Sequence, residues 1–387
     1  MELPVFDEFP FRFDQKINAE NTLLDVIKEK LQINNNPSQY NNAINYVSLI
    51  ISDWAKNLHK CENIEFLLSG SRLLNTDISD SDVDGIVVLN KQSNDNCKIN
   101  ELNEFFGKTN NDDECKNSYK ERTPDLSLYC LLYNEDPIEQ LRKNIHSRIK
   151  IIEFTAHEIK FDISFVILEE IKTKESNKLI DQNDKEIEKI IEKNIKELEL
   201  LKQDNYFKNK IKEKQGEILN LASYNSNKLI KNIIVKSGNL EKYEFITKTL
   251  KLWAKNHFIY DNQFGFLNGA ALNLLVLKIV LLYFDSSYLY LLEKFFQIFN
   301  EWEWEFHVKI NELTQKSQSW NEKSEIISRK EQYIPEYIIR SNEEKIRLEK
   351  HSNLIMVVLT IGYPEQNCLY NVNYSTRQII KKEFENG

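Results

Sequence analysis

Residues 70–89 read Gly-Ser-Arg-Leu-Leu-Asn-Thr-Asp-Ile-Ser-Asp-Ser-Asp-Val-Asp-Gly-Ile-Val-Val-Leu, and this stretch decides the fold. Apolar runs at 64–68 and 86–89 flank its polar part and predict two strands. Because side chains alternate between the two faces of a strand, Asp82 and Asp84 are expected on the same face. Two carboxylates so close together suit hard divalent cations, which take oxygen ligands and bridge phosphate oxygens.

A phosphate-binding turn is predicted just before the acidic pair, at Gly70 and Ser71. Glycine lets the backbone approach a phosphate, and a serine hydroxyl with nearby backbone N–H groups can hold it. An Asp-x-Asp pair alone is most often a solvated turn. The preceding Gly-Ser and the flanking apolar runs favour a nucleotidyltransferase instead.

A third carboxylate lies in the segment 159–165, Ile-Lys-Phe-Asp-Ile-Ser-Phe. Its alternation predicts a strand with Lys160, Asp162 and Ser164 on the polar face. An aspartate on such a face is more often simply solvated. Two-metal transfer needs a ligand near the attacking oxygen, however, and Asp162 is predicted to be that ligand.

Length and composition limit the class of protein. The 387 residues favour two or three domains, and a hydrophobic fraction of 41% indicates a folded chain. Because the net charge is −9, any polynucleotide is expected to bind in a local basic channel. The N-terminus lacks a signal-peptide pattern, and the longest apolar run, 270–284, is too short for a membrane span. A protein that is not secreted and has no membrane partner is expected.

The five cysteines, at positions 61, 97, 115, 130 and 368, show no CxxC spacing. This scatter predicts neither a zinc site nor a disulfide framework, and it favours a reducing compartment.

Apolar periodicity predicts the remaining elements. Asn21 and Thr22 are expected to cap a helix that ends near Leu31. Strands are expected at 64–68, 85–89, 126–132, 149–154 and 159–168, and helices at 38–59, near 102–106, within 172–217, over most of 218–299 and at 375–384.

A helix at 245–255 carries Lys248, Lys251 and Lys255 on one face. In isolation such a row is usually a solvated face. Here Tyr260 follows, and then a glycine-containing turn at 264–271 leads into a buried helix. A helix that begins after glycine offers free N–H groups to an anion or a base edge.

These stretches closely resemble the eukaryotic nuclear poly(A) polymerases, members of the DNA polymerase beta-like nucleotidyltransferase superfamily. The Gly-Ser and Asp-x-Asp pair marks the whole superfamily. More specific to this branch are Lys-Leu-Trp-Ala at 251–254, Trp-Glu-Trp at 302–304 and Tyr-Pro-Glu-Gln-Asn at 363–367. The order and spacing match from about residue 5 to residue 387.

The resemblance implies an α+β fold in which a polymerase beta-like sheet domain packs with an all-α central domain. It places N-terminal helices at 1–60, the nucleotidyltransferase domain at 61–180 and the helical central domain at 181–387. The sequence ends where the family's C-terminal RNA-recognition-like domain would begin, so that domain is expected either to be absent or to lie beyond this sequence.

The resemblance also assigns residue roles. It implies that Asp82, Asp84 and Asp162 are catalytic and hold the metal ions. The implied ATP-binding residues are Gly70, Ser71, Asn225, Lys251, Tyr260, Gly269 and Ala270. Asn225 is expected in a turn at 223–226; a capping asparagine and, for Tyr260, a helix-end tyrosine are the structural alternatives. Asn268-Gly269 stands where family members usually have two adjacent glycines.

The implied activity is template-independent transfer of AMP from ATP to RNA 3′ ends, as in mRNA polyadenylation, with Mg²⁺ or in its place Mn²⁺. A uridylyl- or CCA-adding transferase is the alternative enzyme. A catalytically silent partner subunit is disfavoured, because all three carboxylates are present. The expected partners are ATP, the RNA 3′ end, and a processivity or 3′-end-processing protein or a second copy of the chain. A nuclear location is expected, with the cytoplasm as the alternative.

Overall fold

The computed structural model describes residues 13–32, 37–91, 96–107, 115, 126–169, 178–179, 183–202, 208–304, 307–310 and 356–387. Within them, helices precede a five-stranded sheet, and a mainly helical second half follows it. The predicted α+β class is confirmed. No helix in these ranges is long and apolar enough to cross a membrane.

Two helices open the described chain, α1 (Phe13–Gln32) and α2 (Pro37–Asp53), and a π-helical turn (Trp54–Leu58) extends α2. The predicted cap at Asn21 and Thr22 is wrong, because α1 begins at Phe13 and both residues lie inside it. Trp54 is fully buried against the sheet, and its indole N–H donates to the carbonyl of Leu126 at 2.9 Å.

The sheet contains β1 (Ile64–Leu68), β2 (Val83–Lys91), β3 (Ile138–Asn144), β4 (Ile151–Ala156) and β5 (Ile159–Glu169). The strand order is β1-β2-β5-β4-β3. Only β2 and β5 run parallel, and their register sets Asp84 directly beside Asp162. Short helices connect the strands: α3 (Gly70–Leu73), α4 (Asn103–Phe106) and α5 (Leu128–Tyr133).

The strand predicted at 126–132 is wrong, because this segment forms α5. Ser127 caps the helix by accepting a hydrogen bond from the Cys130 N–H at 3.2 Å. The apolar run Leu-Tyr-Cys-Leu-Leu-Tyr is too short for periodicity to separate a buried helix from a strand. Strand β3, Ile-Glu-Gln-Leu-Arg-Lys-Asn, was not predicted, since it is a polar edge strand without regular alternation.

The predicted absence of disulfides is also wrong. Cys61 pairs with Cys97, and Cys115 pairs with Cys130, while Cys368 is a buried free thiol. After β2 the chain returns beside the residues that precede β1, where the Lys98 N–H donates to the His59 carbonyl at 2.9 Å. Such proximity depends on the sheet, and sequence spacing cannot reveal it.

The second half contains α6 (Asp184–Lys202), α7 (Lys208–Ser237), α8 (Leu240–Asn256), α9 (Gly269–Leu282), α10 (Tyr288–Glu301) and α11 (Tyr374–Asn386). Helix α9 is buried along nearly its whole length and forms the centre of this half. The predicted turn at 223–226 is wrong, because these residues lie inside α7. Leu221, Tyr224 and Ile230 are buried, and their packing keeps this segment helical. Tertiary packing thus outweighs the lower helix propensity of the Ser and Asn residues in it.

One edge of β5 is covered by α7 instead of a strand. Strand β4 begins at Ile151, opposite Ser164, so its ladder with β5 does not reach Ile167. The Ile167 N–H donates instead to the Glu217 carboxylate at 3.3 Å. Glu217 is buried and pairs with Lys214 at 2.9 Å, and Lys214 also pairs with Glu197 at 3.2 Å.

We expect Lys214→Met to lower the free energy of unfolding by about 3 kcal/mol, because it leaves the buried Glu217 carboxylate without its partner. Lys189→Met is the matched control: the Lys189–Glu186 pair is exposed, and its loss should change the free energy by less than about 1 kcal/mol. Urea denaturation measures both values. Equal effects of the two substitutions would contradict the proposed importance of the buried pair.

Candidate active site

A cleft of about 1040 Å³ separates the sheet from the helical half. It brings together nine of the ten residues predicted from the sequence. They come from α3, β2 and the residue before it, β5, α8 and the segment after it, and the start of α9. They are Gly70, Ser71, Asp82, Asp84, Asp162, Lys251, Tyr260, Gly269 and Ala270.

The three aspartates converge at the cleft floor. Asp82 directly precedes β2, Asp84 lies on β2, and Asp162 is the neighbour of Asp84 on β5. Burial, followed by the Asp82 charge, raises the pKa of Asp84 to about 6. Burial and then the charges of Asp82 and Asp84 raise the pKa of Asp162 to about 7. Asp82 and Asp84 still open onto the cleft, so burial here means enclosure by protein rather than loss of all water contact.

Gly70 lies so close to Asp84 that any side chain added there would displace the Asp84 carboxylate. Its φ is +55°, and a Cβ built on it would lie 1.9 Å from Oδ2 of Asp84. The Ser69 N–H donates to the carbonyl of Asp84 at 2.9 Å, which joins the turn to the strand. The turn predicted to hold phosphate therefore packs directly on a predicted metal ligand.

Two lysines of α8 reach the loop between α3 and β2. Lys251 is almost fully buried, and its ammonium donates to the carbonyl of Thr76 at 2.8 Å. Burial lowers the pKa of Lys251 to about 8. Lys255 pairs with Asp80 at 2.8 Å and lies 5.3 Å from the ring centroid of Tyr260. Both cations thus lie beside the acidic loop that ends at Asp82.

The start of α9 completes this side of the cleft. A Cβ on Gly269 would lie 3.1 Å from the hydroxyl of Tyr260 and 3.6 Å from the ammonium of Lys251. Burial and the carboxylates around it raise the pKa of Tyr260, so its hydroxyl stays protonated. Asn268 caps α9 by accepting from the Ala271 N–H at 2.8 Å, and its own φ of −129° requires no glycine.

Asn225 is the one predicted site residue that the cleft lining does not include. It is buried, and its side-chain amide has no hydrogen-bond partner among the described residues. The same helix presents Asn227 to the cleft, where its amide donates to the hydroxyl of Ser69 at 3.2 Å. Sequence reasoning missed Asn227; the four-residue spacing from Ser223, which also lines the cleft, is the signal that could have identified it.

The donor set fits divalent metal ions. Three carboxylates share the cleft floor, and their mutual repulsion adds to the raised pKa values of Asp84 and Asp162. They do not form a closed cage, since no group of three or more His, Cys, Asp or Glu in the described ranges is arranged around one ion. Mg²⁺ does not require one, because it is usually held by one or two carboxylates plus substrate phosphates and water.

Comparison with known proteins finds relatives of this chain. Residues 242–387 match the family model of the poly(A) polymerase central domain. The "Poly(A) polymerase" of Dictyostelium discoideum is 26% identical over 171 residues, which are 43% of this chain and 18% of that protein. The "Nuclear poly(A) polymerase 1" of Arabidopsis thaliana is 28% identical over 170 residues, 43% of this chain and 21% of that protein. The matches thus span about a fifth of these relatives' length.

Solved structures of the Cid1 poly(U) polymerase share the fold. One covers 95% of this chain and 93% of its own, with a TM-score of 0.50 at 14% sequence identity. Another, of Cid1 with its short product ApU, has a TM-score of 0.50 at 12% identity.

At this level of identity, the solved structures show that the chain shares the fold of the Cid1 enzyme. The predicted resemblance to the poly(A) polymerases is confirmed, since residues 242–387 match the model of that family's central domain.

We expect Gly70→Ala to weaken Mn²⁺ binding at least tenfold, since displacing a ligand's close neighbour typically costs about 10–100-fold in metal affinity. Gly238→Ala is the matched control: φ is also positive, at +71°, but nothing lies within 4 Å of the added Cβ. Isothermal titration of both variants measures the affinities. A Gly70 variant with unchanged affinity would show that the contact with Asp84 does not matter.

Metal affinity should rise as the pH is raised through about 6 and about 7, the pKa values of Asp84 and Asp162. A raised pKa means that protons still occupy these oxygens near neutrality, and the metal must displace them. Mn²⁺ titrations in two buffers of different ionisation enthalpy would detect the released protons. Affinity and heat that do not vary with pH or buffer would exclude these two ligands.

Proposed function

We propose that this chain transfers AMP from ATP to RNA 3′ ends without a template, as a poly(A) polymerase. The observation that carries the proposal is one cleft in which Asp84 and Asp162 lie side by side, with Gly70 against Asp84 and with Lys251 and Tyr260 facing them from the helical half. The relatives named as poly(A) polymerases support ATP as the donor.

Asp82 and Asp84 would hold both Mg²⁺ ions, and Asp162 would join them as a ligand of one of the two. When bound, two Mg²⁺ ions supply charge neutralisation on the phosphates and acidify the attacking hydroxyl. Mn²⁺ should replace Mg²⁺, and one Cid1 variant with a similar fold was solved with MgATP. The carboxylates position the ions and carry no covalent intermediate.

The helical half is proposed to bind the nucleotide. Lys251 and Tyr260 meet the triphosphate, and Gly269 and Ala270 lie against the adenine. Gly70 and Ser71 hold the phosphates from the sheet side. Lys251 is already bonded to the Thr76 carbonyl on the loop before Asp82. Binding of the triphosphate and placement of the carboxylates would thereby be coupled. Asn225 stays a predicted contact to the incoming nucleotide. Because Asn225 is buried, a nucleotide can reach it only if α7 or the loop around Gly362 moves; a Cβ built on Gly362 would lie 3.3 Å from the Asn225 amide nitrogen.

A terminal uridylyltransferase is the second candidate, because Cid1 poly(U) polymerase structures share the fold. The carboxylate geometry does not depend on the base, so nucleotide choice must be measured. With a net charge of −9, the RNA 3′ end is expected to bind through local cations, and long tails are expected to require a partner protein or a second copy. A nuclear location is proposed from the Arabidopsis relative's name.

The decisive experiment incubates labelled oligoadenylate with Mg²⁺ or Mn²⁺ and each nucleoside triphosphate in turn. We expect extension with ATP and none of comparable rate with UTP, CTP or GTP. Asp162→Asn, which keeps the shape and removes the charge, should lower the rate at least about a thousandfold, since electrostatic stabilisation supplies most of the catalysis. Asp285→Asn, at an exposed loop position, is the control and should extend normally.

Preferred incorporation of UMP would replace the proposal by its uridylyl alternative. No extension with any nucleotide would favour the silent subunit.

A further inference from the structure

A second cavity opens beside the catalytic cleft, with a volume of about 180 Å³. The two share the loop after β3, a polar face of α7 and the loop before α11; the shared residues are His146, Ser147, Arg148, Leu219, Asn220 and Gln366. The cavity is therefore a side pocket of the cleft. None of Lys251, Tyr260 and Gly269 lines it, so it lies away from the proposed triphosphate site.

Strand β5 connects the side pocket to the catalytic carboxylates. Asp162 and Ser164 line the cleft from one face of β5, and Phe165, on the other face, lines the pocket. The pocket begins where β4 ends its pairing with β5, so the missing strand leaves space there. The lining residues that the cleft and the pocket share give an acceptor strand a path from the cleft to this opening.

The pocket's walls suit a neutral ring. Phe106, Phe165 and Ile218 supply apolar surface. Three acidic residues, Glu213, Glu217 and Glu365, and three basic ones, Arg148, Lys150 and Lys212, also line it. Their charges balance, and Glu213 is paired with Lys150 and Glu217 with Lys214, so the walls offer no excess positive charge to a triphosphate. The volume is below the roughly 300–1,000 Å³ of pockets for drug-sized ligands, so a single base is a suitable occupant. Unstacked RNA bases are commonly bound in this way, against apolar side chains and by polar groups at their edges.

One hydrogen-bond donor in the pocket has no partner. The amide nitrogen Nε2 of Gln366 is shielded from solvent and has no hydrogen-bond partner among the described residues. The loop does not depend on this side chain, because backbone atoms of Gln366 bond to Thr360 in both directions at 2.9 Å. An adenine ring offers acceptor nitrogens at its edges, such as N7 and N3.

We propose that this side pocket binds the 3′-terminal nucleobase of the acceptor RNA, and that the Gln366 side chain turns so that its amide nitrogen donates to a ring nitrogen. The inference rests on the proposed function and adds a binding site for the acceptor, separate from the nucleotide site. Arg148 at the mouth, 5.0 Å from the ring centroid of Tyr370, supplies a cation for the adjoining phosphate.

The test compares two labelled oligoadenylates that end in a 3′-deoxy nucleotide, one intact and one with an abasic final residue. Fluorescence anisotropy without ATP gives their dissociation constants, so the readout does not need activity. The wild-type chain should bind the intact strand about tenfold more tightly, since an enclosed base contributes about that much by stacking alone. Gln366→Met keeps the size of the side chain and removes its N–H donor. In this variant the ratio of the two dissociation constants should fall about threefold, which corresponds to the loss of one hydrogen bond.

Gln297→Met, the same change at an exposed position of α10, is the matched control and should keep the full ratio. If Gln366→Met does not fold, Gln366→Ala takes its place, with a thermal melt as the check. A wild-type ratio near one, or a full ratio in the Gln366 variant, would overturn the proposal. If the wild-type chain extends the primer with none of the four nucleotides but still binds the intact strand about tenfold more tightly than the abasic one, the proposed function is refuted and the proposed base site is retained.

Discussion

The parallel pairing of β2 with β5 is the constraint on which the site depends. Its register places Asp84 beside Asp162, although 78 residue positions separate them in the chain. Both strands are held in this register by apolar side chains on both faces of the sheet, such as Val87 and Phe165 on one side and Val88 and Val166 on the other. A slip of one residue would turn the two carboxylates to opposite faces, and the cleft would lose its shared floor.

The second constraint is electrostatic. Carboxylates gathered at one place repel each other, and burial raises their pKa values further. The structure offsets part of this repulsion with cations from the other half of the molecule: Lys251 bonds to the Thr76 carbonyl, and Lys255 pairs with Asp80. The loop that precedes Asp82 is thereby tied to α8. Metal ions and a triphosphate would complete the charge balance, which explains how a chain of net charge −9 can present a nucleotide site.

Local sequence patterns were sufficient to predict secondary structure where the apolar residues of a segment recur with a clear period. The strands near 64–68, 85–89 and 159–168 and the buried helix after Gly269 follow from alternation and from an unbroken apolar run. Patterns were insufficient at α5, where six apolar residues fit a helix or a strand equally well. They were also insufficient at 223–226, where packing of Tyr224 extends α7 through residues that favour turns. The disulfides and the orientation of Asn225 depend on neighbours that are distant in the chain.

By itself the sequence determined the residue types of the chemistry: a Gly-Ser turn, an Asp-x-Asp pair, a third aspartate on a polar strand face and a lysine helix followed by tyrosine. These are local features, because spacing along a strand or helix sets which side chains share a face. Only the tertiary structure decided which of them meet. It brought nine of the ten predicted residues to one cleft, turned Asn225 away, and presented Asn227 and Gln366 instead. The reason is physical: contact across the cleft depends on strand register and helix packing, which no single segment encodes.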